Sequence, residues 1–132
     1  MVSSFTTVKA NEILTAEFKT ATIYGALFLA SPGDAGSVTC EVANSNCYAR
    51  KEITFATDAT ARSISNTAQL TFDAASGGNW GTITDLGVME SSGHGQTSMT
   101  AYGSLTASKT VNDTDQLVFA IGNITASFAA GA

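Results

Sequence analysis

The chain has 132 residues, 44% of them apolar and only 13% charged, and its 6 basic and 11 acidic side chains leave a formal net charge of -5. An ordinary soluble domain carries roughly 25% charged residues, so this surface must meet water largely through small polar and apolar groups, which resist association poorly. The acidic balance, with basic residues scattered except for Arg50 beside Lys51, excludes the clustered cationic face that nucleic acid requires.

A chain of this length is expected to form one domain over residues 1–132 with a core of its own. Its opening, MVSSFTTVKANEIL, has neither the charged nor the apolar region of a signal peptide, so synthesis in a cytosol is expected. Without a secretory route, the sequons at Asn112 and Asn123 carry no meaning. Ala10, Ile13, Leu14 and Phe18 recur at helical spacing and predict one short amphipathic helix over Val8 to Phe18. Thr22 to Ala30 is apolar on both faces, which suits a buried strand. Its apolar run IYGALFLA is too short to span a bilayer, and no membrane partner is expected. SPGDAGS, residues 31–37, reads as a turn. From Tyr48 to Ala56, Ile53 and Phe55 alternate with Glu52 and Thr54, and Ala68, Leu70 and Phe72 alternate with Gln69 and Thr71. ASGGN (75–79) and SSGHGQ (91–96) are loops, and the segment between them predicts one or two strands around Gly87. Met99, Ala101, Gly103 and Leu105 share a strand face. The turn Asn112-Asp-Thr-Asp precedes a strand over Leu117 to Ala120, and Ile124, Ala126 and Phe128 share a face of the last strand. Seven or eight short strands with little helix point to an all-β, antiparallel sandwich, with a jelly-roll as first choice.

The residues that could carry chemistry do not assemble into a recognisable site. His94 is the only histidine and lies in a glycine-flanked loop, a poor place for a base that must be held against a nucleophile. Asn112, Asp113 and Asp115 resemble the start of a calcium loop, but the glycine and glutamate that should follow are missing. Gly77-Gly78 and Gly93/Gly95 lack the lysine and helix of a phosphate cradle. Trp80, Tyr24, Tyr48 and Tyr102 could form a sugar-binding platform, although a single Trp more often anchors a core. Cys40 and Cys47 have neither the companions of a zinc site nor the spacing of a redox motif. A disulfide or two free thiols remain. Closing so short a loop contributes about 2.5 kcal/mol in the chain-entropy model. No catalytic residue, cofactor or metal is expected.

The run ATIYGALFLASPGDAGSVTCEVANSNCYARKEITFA, followed by NTAQLTFDAA, NWGTITDLGVMES and LTASKTVNDTDQLVFAIGNITASF, resembles a family of small tailed-bacteriophage proteins, many labelled tail fibre. The elements that carry the resemblance are Leu27-Phe28, Pro32 to Gly36, Glu41-Val42, Tyr48-Ala49-Arg50, Thr54-Phe55, Phe72 and Trp80 to Ile83. They span roughly residues 10–128. The family pattern has small or polar residues where this chain has Cys40 and Cys47, which implies an added staple, oxidised after particle release, and not a shared chemical site.

A fibre needs a shaft, and the chain shows neither heptads nor internal repeats. The expectation drawn from the resemblance and the low charge is therefore a capsid decoration, or cement, protein. It would bind the outside of the shell, with the major capsid protein as partner, as a homo-oligomer (dimer or trimer). The alternative is a tail fibre or tail-tip protein that recognises a host-surface glycan. Subunit contacts are expected at Ile13 and Leu14 of the helix and at Pro32 and Asp34 of the SPGDAGS turn. Arg50 is a further candidate, set against a surface ion pair of little worth.

Overall fold

The computed structural model describes residues 5–128. Helix α1 (Thr7–Thr15) opens on Thr6, whose hydroxyl accepts the Lys9 amide at 3.3 Å and so satisfies one of the free N–H groups of the first turn. A π-helical turn, Ala16–Thr20, prolongs it. Ala10, Leu14 and Phe18, spaced by four, are the residues this segment buries. Phe18 meets Phe55 edge-to-face, with ring centroids 5.1 Å apart. The expected helix over 8–18 is thus present, one residue longer at its start and two at its end.

Eight strands follow: β1 (Tyr24–Phe28), β2 (Lys51–Glu52), β3 (Ser63–Ser65), β4 (Leu70–Thr71), β5 (Gly81–Met89), β6 (Met99–Val111), β7 (Val118–Phe119) and β8 (Thr125–Ser127). A four-stranded sheet runs β2-β1-β5-β6, and two ribbons pair β3 with β8 and β4 with β7. Every pairing is antiparallel. The fold is therefore all-β with one short helix. Hydrogen-bonded sheets of four, two and two strands do not by themselves establish the jelly-roll wiring.

β1 and β5 lie at the centre and pair from Tyr24 opposite Met89 to Phe28 opposite Asp85. Both of their faces are covered. Leu27, Ile83, Leu86 and Val88 join the main core with Phe55, Phe72 and Trp80, while Ala26, Phe28 and Met89 form a smaller cluster on the other side. This double burial is why residues 23–30 read as a continuous apolar run.

Two segments depart from expectation. Only Lys51–Glu52 forms ladder within the strand expected over 48–56, beyond a single bridge from Phe55 to Asn66. Its alternation arises because Tyr48, Arg50, Ile53 and Phe55 all turn inward from an extended chain that has little to pair with. β3, with Ile64 as its one buried side chain, gives no clear alternation and was not expected. It is held by its ribbon partner, with Ser65 Oγ 2.7 Å from Thr125 Oγ1.

Candidate functional site

The structure buries an ion pair beside the turn between β5 and β6. Glu41 and Arg50 form a two-pronged ion pair, with Nε to Oε1 and Nη2 to Oε2 both at 2.8 Å and both side chains fully buried. Tyr48 donates its hydroxyl to Oε1 at 2.9 Å and accepts the Leu27 amide at 3.0 Å, which couples the pair to β1. Arg50 also donates to the carbonyls of Ser91 and Gln96, and the Gly95 amide reaches Glu41 Oε2. The turn between β5 and β6 is thereby pinned onto the 38–50 segment. Burial pushes the Glu41 carboxyl upward, but the Arg50 fork and the Tyr48 hydroxyl outweigh it, so the carboxyl sits below its ordinary value. Burial likewise pushes the Tyr48 phenol well above its ordinary range.

Three expected subunit contacts are corrected by this packing. Arg50 is fully buried, because an ion pair inside the chain consumes it, and it is no surface pair. Leu14 lies on the core-facing side of α1, and Pro32 is buried at the base of its turn. Ile13 is half-buried and Asp34 exposed. Asp34 accepts the Tyr102 hydroxyl at 2.6 Å, and this bond raises the phenol above its ordinary value.

Trp80 is a core anchor. It is buried, donates Nε1–H to the Asn46 carbonyl at 2.9 Å and meets Tyr48 and Phe72 edge-on. Tyr48 is buried with it, Tyr24 is half-buried, and Tyr102 is exposed, so these aromatic rings do not form one platform. His94 is exposed, with Nε2 2.8 Å from the Val42 carbonyl, to which it donates. The Asn112-Asp-Thr-Asp turn locks onto the ASGGN loop: Asp113 accepts the Gly77 amide, and Asn79 accepts the Asp113 amide. Among the described residues, no three His, Cys, Asp or Glu side chains converge to hold a metal. Cys40 and Cys47 are free, exposed thiols, and Cys47 sits at φ 66°. The loop between them is held by hydrogen bonds from Tyr48 N–H to the Ser45 carbonyl and from Ser76 N–H to the Asn46 carbonyl.

A broad concavity lies on the opposite side of the sheet from the small Phe28 cluster. It is an open groove of about 1020 Å³, floored by Leu14, Phe18, Phe55, Leu86, Val88 and Ile124. One bank is β6 and the other is the chain from 117 to 128, which includes β7 and β8. Tyr102 and Val118 stand on the banks 39% and 42% exposed, a strongly wetted pair for apolar side chains. None of the acidic residues lines the groove, and Lys109 is its one charged side chain. No alternation in the sequence announces it, because its floor is made of residues that also count as core.

Residues 4–127 match the model of a family described as podophage GP4 fiber I protein gp80. The chain belongs to this family. The match covers the helix and the eight strands of the described residues. The resemblance read from the sequence is borne out, and the chain is a phage structural protein. No curated protein matches it. Among the described residues, no helix is long and apolar enough to cross a membrane.

Proposed function

We propose that this protein is a subunit of a phage tail fibre and that it works by binding other protein subunits. The observation that carries this reading is the fiber I family match over nearly the whole chain. Within residues 1–132 there is neither a coiled-coil heptad pattern nor an internal repeat, so this domain serves such a fibre as a compact unit and not as its shaft. The sparse charge of the chain and an open groove without carboxylates suit a part that meets neighbouring subunits. Catalysis has no place in this proposal.

A second reading has its own support. A chain with only 13% charged residues and a sandwich-like body also fits a head decoration protein that cements the major capsid protein. Copy number separates the two. Quantitative mass spectrometry of purified virions is expected to give this protein in ratio with the tail proteins. A ratio with the major capsid protein would replace the fibre by head decoration.

A further inference from the structure

We propose that the turn between β5 and β6, residues 91–97, is an acid-released strap: protonation of Glu41 frees it from the body of the protein while β5 and β6 stay paired. The inference goes beyond the fibre reading and does not depend on it.

The first argument is how the turn is held. SSGHGQT contains no apolar side chain, and all of it is exposed except half-buried Ser91. No apolar burial fixes its position, which is the mark of a segment able to open locally. Among the described residues, four hydrogen bonds tie it to the rest of the chain. Arg50 donates Nη1–H to the Ser91 carbonyl and Nη2–H to the Gln96 carbonyl, both at 2.9 Å. The Gly95 amide donates to Glu41 Oε2 at 3.2 Å, and His94 Nε2 donates to the Val42 carbonyl at 2.8 Å. Three of the four therefore depend on the Glu41–Arg50 pair. Other bonds, such as Gln96 N–H to the Gly93 carbonyl and Gly93 N–H to Ser91 Oγ, stay inside the turn.

The second argument is where the opening stops. At the base of the turn the Glu90 amide donates to the Ser98 carbonyl at 2.8 Å, and the ladder begins with Met89 opposite Met99. Neither closure involves Glu41 or Arg50. The turn can lift without unzipping the sheet.

The third argument is electrostatic. Glu41 faces Arg50 and Tyr48 from its own segment, and the turn brings His94 as its titratable group. β1, which bridges Glu41 at Phe28, brings no charged side chain. Protonating Glu41 leaves the Arg50 guanidinium buried without a counter-charge, a state that a protein interior strongly disfavours. Lifting the turn returns water to the guanidinium, and water replaces the hydrogen bonds that are lost. His94 is no alternative trigger, because its Nε2–H donates to Val42 in the neutral and in the charged ring. The folded Glu41 carboxyl lies below its ordinary value. The strap is thus fully closed above the ordinary value and opens as pH falls through the lower one.

The test is an acid titration of the isotope-labelled full chain, followed by proton–nitrogen correlation spectra and by the carboxyl-carbon resonance of Glu41. The amide signals of Gly93, Gly95 and Gln96 are expected to move to random-coil positions at the pH where the Glu41 carboxyl titrates. Those of Leu27, Leu86 and Val88, in the β1–β5 ladder, are expected to hold their places. His94→Ala removes the turn's own titratable group together with one tie, and it is expected to keep the transition at the same or a higher pH. Turn signals that stay in place until the whole spectrum collapses overturn the inference. So does a turn transition that departs from the Glu41 titration or vanishes in His94→Ala. None of these outcomes touches the fibre reading, which copy number in the virion tests separately.

Discussion

At the scale of single residues, the strongest constraint is the Glu41–Arg50 pair. Both charges are out of water, and each is compensated only by the other and by a ring of hydrogen bonds. Removing one partner strands the other, so Glu41→Gln is expected to destabilise the fold by about 3–5 kcal/mol in a urea titration at neutral pH. The same residue sets an acid limit. Its folded carboxyl lies below the ordinary value of 4.5, so the unfolded chain takes up the proton first. The stabilisation is complete above that value and is lost as pH falls through the lower, folded one. Stability measured against pH is expected to drop in that acid window for the wild type, and the part due to Glu41 is expected to vanish in Glu41→Gln. The sequence marked Glu41 only as a piece of a recurring pattern, and Arg50 as that and as a subunit-contact candidate. An arginine is seldom fully buried, and nothing in the linear order shows that a turn folds Arg50 back onto Glu41. A sharper signal was present: Tyr48 and Arg50 stand two apart, hence on one side of an extended chain.

At the scale of elements, the central strands were the most legible. Residues 23–30 are apolar on both faces because β1 is covered on both faces, and β5 follows the same logic. The short ribbons were less so, because two or three residues give no period to read, and β3 owes its existence to its partner β8. The groove was illegible for a related reason, since a floor that is half core and half open has the pattern of core. Gly87 shows how tightly the central sheet is built. It lies opposite Ala26, and a Cβ there would come within 2.6 Å of the Phe28 ring. Its φ is not in the left-handed region, so space alone demands glycine. Gly87→Ala is expected to cost about 1–3 kcal/mol through overpacking. Gly103→Ala, on open β6, is expected to stay within about 0.5 kcal/mol. Chemical denaturation of the two variants side by side checks both values.

At the scale of the whole molecule, the core and the buried polar network fix the outer strand from within. Trp80, Tyr48 and Phe72 close the core at one end. The Glu41–Arg50 network fastens the β5–β6 turn. β6 is thus held firmly from within, and among the described residues no strand pairs with its outer edge. A strand fixed in this way has little ordering left to lose on meeting a partner. Repetition across many copies turns a modest contact into a stable assembly. The central claim is that this assembly belongs to a fibre. It is tested most directly by labelling intact virions with gold-conjugated antibody against the purified protein and imaging them by electron microscopy. Gold confined to the tail and its fibres is the predicted result, and gold spread evenly over the head would contradict it.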